Sequence, residues 1–129
     1  MPDSSIINNV EKYVTDLFSK RSAAENIYHN IIHTKEVVEV SQKIALSENL
    51  SNDEIEIVTI ASWFHDTGYF HCCNGHEDQS SEYARDFLER QSYPKEKIEK
   101  IIGCVKATKI PHSPKKKIEK IICDADIHH

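Results

Sequence analysis

The residues best able to do chemistry are histidines and aspartates at the ends of apolar stretches. His65 and Asp66 are adjacent, directly after the mostly apolar residues 61–64, and Gly68 follows them closely. An imidazole and a carboxylate without partners would be costly to bury. The fold must therefore supply partners for this pair, and a divalent metal ion is one group that would satisfy both.

An earlier histidine stands at helical spacing from the apolar residues that follow it. His33 precedes Val37, Val40 and Ile44 by four, seven and eleven positions, which places it on one face of a helix. His65 follows apolar residues by four and eight positions in the same way. Both imidazoles are therefore expected to point towards the core.

Two aspartates occur in an apolar helix near the end of the chain. Asp124 comes three residues after Ile121, and Asp126 comes four after Ile122. Taken singly, a histidine such as His33 is more often a buried residue with a hydrogen bond or a helix cap, and an aspartate such as Asp124 is more often a surface or capping residue. Together they form a mixed nitrogen and oxygen donor set, which suits Zn, Mn, Fe, Co, Ni or Mg.

Helices are the elements that must position these side chains. The chain has only three glycines and four prolines, and its apolar residues recur at helical spacing. Ser51 and Glu54 have the spacing of a capping box, and Pro94 suits the first turn of a helix. Six helices are predicted, at about residues 4–19, 33–48, 51–65, 77–90, 94–105 and 118–125. The predicted fold is an all-α helical bundle forming a single domain over residues 1–129.

Composition excludes several classes of protein. The 129 residues carry a formal net charge of −5, which argues against a general nucleic-acid partner. No apolar run approaches the ~20 residues of a membrane helix, and the first residues lack the apolar core of a signal peptide. The protein is therefore expected to be cytoplasmic, without a membrane partner. Its four cysteines are then expected to be free thiols.

The order of these residues resembles the HD-domain superfamily of metal-dependent phosphohydrolases. The segments that carry the resemblance are YHNIIHTKEVVEV, ASWFHDTGY and ICDADI. The resemblance implies a helical fold with one divalent metal ion between the helices. It also implies that His33, His65, Asp66 and Asp124 are the metal ligands.

The resemblance suggests further site residues. His76 and Glu77, in the segment HEDQSSEYA, match a region where some HD enzymes place a ligand or a catalytic group. We expect Asp66 to orient the attacking water and His76 or Glu77 to protonate the leaving group. His29 is expected to line the pocket, and Lys109 is a candidate phosphate contact.

A second metal ion would need another histidine. In members with two metal ions, a position matching Ala107 or Thr108 carries it, and neither residue here is a histidine. His112 lies beyond Pro111 and is expected not to reach the site. One tightly held metal ion is therefore expected, with a second one weak or absent.

The expected activity is hydrolysis of a small phosphate ester, a nucleotide being the favoured substrate, by metal-activated water. The alternative is an inactive regulatory HD domain that binds metal or a nucleotide. A helical interaction module without metal is a third hypothesis. A homodimer is compatible with a small bundle. Many relatives continue past the segment ICDADI, so the chain is expected to be either a compact version or one truncated at its C-terminus.

Overall fold

The computed structural model of the protein is built from helices. It describes residues 4–21, 24–68, 76–109, 112 and 114–127, with the side chains at 4, 21, 24–30 and 76 outside that description. No strand occurs among these residues, so the predicted all-α fold is confirmed. The helices are α1 (Ser4–Arg21), α2 (Ala24–Ser47), α3 (Asn52–Phe64), α4 (His76–Arg90), α5 (Lys95–Ala107) and α6 (Lys117–Ile127).

Helix α3 is the centre of the bundle. Ser51 caps it: the Ser51 hydroxyl accepts from the Glu54 amide at 3.2 Å, and the Ser51 amide donates to the Glu54 carboxylate at 3.1 Å. The predicted capping box is therefore confirmed. All ten residues from 55 to 64 are buried, and α3 contacts each of the other five helices. A helix that is buried on every side is held by packing rather than by one apolar stripe.

Aromatic and aliphatic side chains fill the space around α3. Tyr13 of α1 stacks on Phe87 of α4 with ring centroids 4.4 Å apart, and Phe64 lies 5.9 Å from Tyr13. Complete burial of a large apolar side chain is worth about 1.5–3 kcal/mol. The fully buried side chains of the other helices include Val10, Val14, Val37, Leu88, Ile101 and Ile122.

Polar contacts fix the relative position of α2 and α3. The hydroxyl oxygens of Ser41 and Ser62 are 2.8 Å apart in the buried interface, and the Gln42 amide donates to Thr59 at 3.3 Å. Hydrogen bonds are directional, so these pairs match only one register of the two helices. The same register brings His33 of α2 beside His65.

Some boundaries differ from the sequence prediction. Helix α2 begins at Ala24, nine residues before the predicted start, and Pro94 directly precedes α5 instead of lying in its first turn. Residues 69–75, which include Cys72 and Cys73, lie outside the described residues. Cys104 and Cys123 are buried free thiols, as expected. None of the described helices is long and apolar enough to cross a membrane.

Candidate metal centre

Three helices converge where the predicted ligands lie. His33 is within α2, His65 is the C-cap residue of α3, and Asp66 follows it in the turn that ends the helix. Asp126 is in the last turn of α6. Helices α2, α3 and α6 all pack against one another, so their side chains meet at one point.

The two histidines face two carboxylates at nearly equal distances. His33 Nε2 lies 3.2 Å from Asp66 Oδ2 and 3.5 Å from Asp126 Oδ1. His65 Nε2 lies 3.4 Å from the same oxygen of Asp66 and 3.2 Å from the same oxygen of Asp126. His33, His65 and Asp66 form a group whose donor atoms all lie within 4.8 Å of one another.

A backbone contact determines which nitrogen of His65 faces the centre. His65 Nδ1 lies 2.7 Å from the Ser62 carbonyl oxygen, and a carbonyl can only accept, so Nδ1 carries the hydrogen. In the neutral ring, Nε2 therefore presents a lone pair. Nε2 is buried and makes no hydrogen bond among the described residues. A metal-binding histidine is commonly oriented in this way, by a backbone carbonyl on its other nitrogen.

The spacing of the donors also suits a metal ion. Zinc bonds of about 2.0–2.1 Å place two ligands of a tetrahedral ion about 3.3 Å apart. The four distances between the histidine nitrogens and the carboxylate oxygens run from 3.2 to 3.5 Å. The donors of His33, His65 and Asp66 therefore fit a divalent metal ion, and Asp126 Oδ1 lies beside both imidazoles.

The carboxylates dominate the electrostatics of the centre. Asp126 and Asp66 together raise the pKa of His33 from its ordinary value of 6.5 to about 9. Burial lowers the pKa of His65, but the same two carboxylates outweigh it and raise that pKa to about 9. Burial would raise the pKa of Asp126, yet the two imidazoles hold it well below its ordinary 3.8. Without a metal ion, protons on the histidines balance this negative charge.

The structure corrects the expectation for Asp124. Its side chain is exposed, whereas that of Asp126 is 17% exposed and contacts both histidines. Residues two apart on a helix point in nearly opposite directions. Asp124 lies on the same side of α6 as the exposed Lys120, and Asp126 continues the buried side that includes Ile122. Asp126 therefore replaces Asp124 in the candidate metal centre.

His112 does reach the centre, contrary to expectation. Its Nε2 lies 3.4 Å from Asp126 Oδ2, and its side chain is 16% exposed. The segment between α5 and α6 brings it there, and helical spacing gives no signal for a residue outside a helix. Thr108, near the position that carries a histidine in two-metal members, is buried, and its hydroxyl donates to the Val105 carbonyl at 2.7 Å.

Of the four remaining predicted site residues, one has a buried side chain, one has an exposed side chain, and two have side chains outside the described residues. Glu77 is buried near the start of α4, at 5% exposure, whereas the Lys109 side chain is exposed. The side chains of His29 and His76 lie outside the described residues. The structure thus leaves the roles predicted for these four residues untested.

Comparisons with known proteins place this fold and site in a class. The sequence model of the HD domain matches residues 30–129, which is most of the chain. The fold is similar to the crystal structure of a predicted HD superfamily hydrolase from an uncultured Thermotogales bacterium, with a TM-score of 0.72 and 21% identity. The match covers 89% of this chain and 65% of that one, so the chain spans about two thirds of that protein's length. Comparison with the curated proteins found no match.

The fold and the site together therefore define a class of protein: a helical bundle that carries histidine and aspartate donors between its helices. The chain belongs to the HD domain family.

Proposed function

We propose that the protein is a metal-dependent phosphohydrolase that cleaves a small phosphate ester, with nucleotides as the substrate class. The observation that carries this proposal is the donor set of His33, His65, Asp66 and Asp126. Nε2 of His65 is buried without a hydrogen bond and lies 3.2–3.4 Å from two carboxylate oxygens. A neutral imidazole nitrogen and two carboxylates are all acceptors, so they need a cation between them or protons on the histidines. The HD domain family supports hydrolysis as the use of that site.

Each residue has a proposed role in the reaction. His33, His65, Asp66 and Asp126 would hold the divalent ion, which when bound lowers the pKa of water and offsets charge on phosphoryl oxygens. The Asp66 carboxylate also accepts a hydrogen bond from the attacking water and so orients it. The Ser62 carbonyl keeps the hydrogen of His65 on Nδ1.

Protonation of the leaving group is assigned to the start of α4. His76 and Glu77 are the proposed acids, and Glu77 is buried at the start of α4. His29 and Lys109 are proposed as substrate contacts.

The test is phosphate release from a panel of nucleotides and p-nitrophenyl phosphate by protein reloaded with Mn²⁺. We expect turnover by the wild type and by the control Asp16→Ala, whose side chain is 61% exposed on α1. Asp66→Ala should lose bound metal and at least about 100-fold of the activity. Full activity of Asp66→Ala, or no turnover by a metal-loaded wild type, would contradict the proposal.

A second candidate is an inactive HD domain that binds metal or a nucleotide in a regulatory role. Thr108 favours it, because a buried hydroxyl bonded to the backbone takes the place near which two-metal members have a histidine. This candidate predicts stoichiometric metal and a nucleotide-induced rise in melting temperature without phosphate release from any ester of the panel.

A further inference from the structure

We propose that Ser80 of α4 is a positioning residue for Asp66. Its hydroxyl holds the turn that follows α3, and this turn presents the Asp66 carboxylate to His33 and His65. The inference rests on the proposed metal centre, because Asp66 is one of the residues assigned to that centre. Ser80 is not among the proposed ligands, so it acts only through the turn.

The turn after α3 is held by local hydrogen bonds and by a contact from α4. The amide and the hydroxyl of Thr67 both donate to the Phe64 carbonyl, at 3.0 and 2.8 Å. The Gly68 amide donates to the Ser80 hydroxyl at 2.7 Å. The first two bonds join residues that are three apart in the chain, whereas the acceptor of the third belongs to another helix. Ser80 therefore fixes the position of the turn relative to α4, which the local bonds cannot do.

Burial makes the contact between Gly68 and Ser80 hard to replace. Ser80 and Thr67 have no exposed surface, and Gly68 is buried. Without the hydroxyl, the Gly68 amide would be left without this acceptor and away from water, which is costly. Movement of the turn outwards would let that amide reach water. Because Asp66 lies two residues before Gly68, its carboxylate would move as well.

A small movement of Asp66 matters because one of its oxygens faces two nitrogens. Asp66 Oδ2 lies 3.2 Å from His33 Nε2 and 3.4 Å from His65 Nε2. A binding site of this kind needs its groups held within about 0.5 Å of the working geometry. Asp66 follows the end of α3 and does not belong to the helix, so the turn must hold its backbone.

The same hydrogen bond ties the candidate metal centre to the start of α4. Ser80 comes three residues after Glu77 and four after His76, the residues proposed as acids. Gly68 and Ser80 are twelve residues apart in the chain, so their contact joins the end of α3 directly to α4. The bond therefore helps to set the distance between Asp66 and the start of α4.

The neighbouring Ser81 provides a matched control. Its side chain is also buried, at 4% exposure, but its hydroxyl donates to the Glu77 carbonyl of the same helix at 2.8 Å. Ser81→Ala therefore removes a buried hydroxyl from α4 and leaves the contact between Gly68 and Ser80 in place. A difference between Ser80→Ala and Ser81→Ala then reports on the turn and not on a general loss of stability.

The first test is the affinity of metal-free protein for Mn²⁺, measured by competition with a chromophoric chelator. Ser80→Ala should bind Mn²⁺ at least about tenfold more weakly than wild type, whereas Ser81→Ala should stay within about twofold, because groups that support a metal ligand typically have effects of this size. Ser80→Cys nearly keeps the side-chain volume but offers a weaker acceptor. It should lose at least about threefold in affinity and provides the test if Ser80→Ala does not fold.

The second test follows the Gly68 amide itself and needs no metal ion. Hydrogen exchange at Gly68, measured by nuclear magnetic resonance on metal-free protein, should be at least about tenfold faster in Ser80→Ala and within about twofold of wild type in Ser81→Ala. Mn²⁺ affinities of both Ser80 variants equal to wild type, or an equal loss in Ser81→Ala, would overturn the inference. If wild type itself binds no Mn²⁺, the proposed function fails, and exchange at Gly68 still decides whether Ser80 holds the turn.

Discussion

Asp124 and Asp126 show that the direction of a side chain decides which residue of a helix reaches the candidate metal centre. Both aspartates follow isoleucines at helical spacing, so spacing from one neighbour does not separate them. The positions of several buried residues of α6 do separate the two aspartates, because Asp126 lies eight residues after Ile118 and four after Ile122. The sequence therefore contains the signal for Asp126, whereas the resemblance favoured Asp124.

Replacing these two aspartates separately should distinguish them. We expect Asp126→Asn to weaken binding of the first metal ion by at least about tenfold, because it removes a charged donor beside both histidines. Asp124→Asn should leave the affinity within twofold, since its side chain is exposed. Competition with a chromophoric chelator measures both affinities. The opposite order of effects would restore Asp124 as the ligand.

Helix positions were predictable where local chemistry marks them. The capping box at Ser51 and Glu54 fixed the start of α3, and the apolar spacing of α3 to α6 gave their extents to within a few residues. The start of α2 was missed, although Ala24, Ile27, Tyr28 and Ile31 recur at the spacing of a helix, because the prediction took His33 as the residue that opens the helix. The position of His112 was missed because only tertiary packing brings its segment to α6.

The serine pair between α2 and α3 should contribute to stability as one unit. Each hydroxyl also lies within hydrogen-bond distance of a carbonyl of its own helix, from Ser41 to Val37 at 2.7 Å and from Ser62 to Val58 at 2.8 Å. We expect Ser41→Ala and Ser62→Ala each to lower the free energy of unfolding by about 1 kcal/mol.

The double variant should lose less than the sum of the two single changes, because either change alone already breaks the contact. Urea unfolding of the four proteins of this cycle measures the coupling. Strict additivity would mean that the 2.8 Å contact between the hydroxyls carries no energy of its own.

At the scale of the whole molecule, the centre makes the stability of the metal-free protein depend on pH. The pKa of His33 and of His65 is raised from 6.5 to about 9, so their contribution is complete below about pH 6.5 and disappears as the pH rises through 9. The pKa of Asp126 is lowered, so its contribution is present above about pH 3.8 and is lost as the pH falls.

We therefore expect the melting temperature of chelator-treated protein to be higher at pH 5.5 than at pH 9. Replacing His33 with glutamine should reduce this difference. Added Mn²⁺ should stabilise more at pH 9, since it no longer competes with protons for the two imidazoles. A melting temperature that rises from pH 6.5 to pH 9 without metal would contradict the assignment.

The burial of α3 from Ile55 to Phe64 affects how long a metal ion stays bound. Segments with many buried contacts open rarely, while exposed ends and connecting segments open often. His65 directly follows the ten buried residues of α3, whereas Asp126 lies in the last turn of α6. We therefore expect the lifetime of an occupied centre to be set by how often α2 and α6 move away from the end of α3, which stays in place.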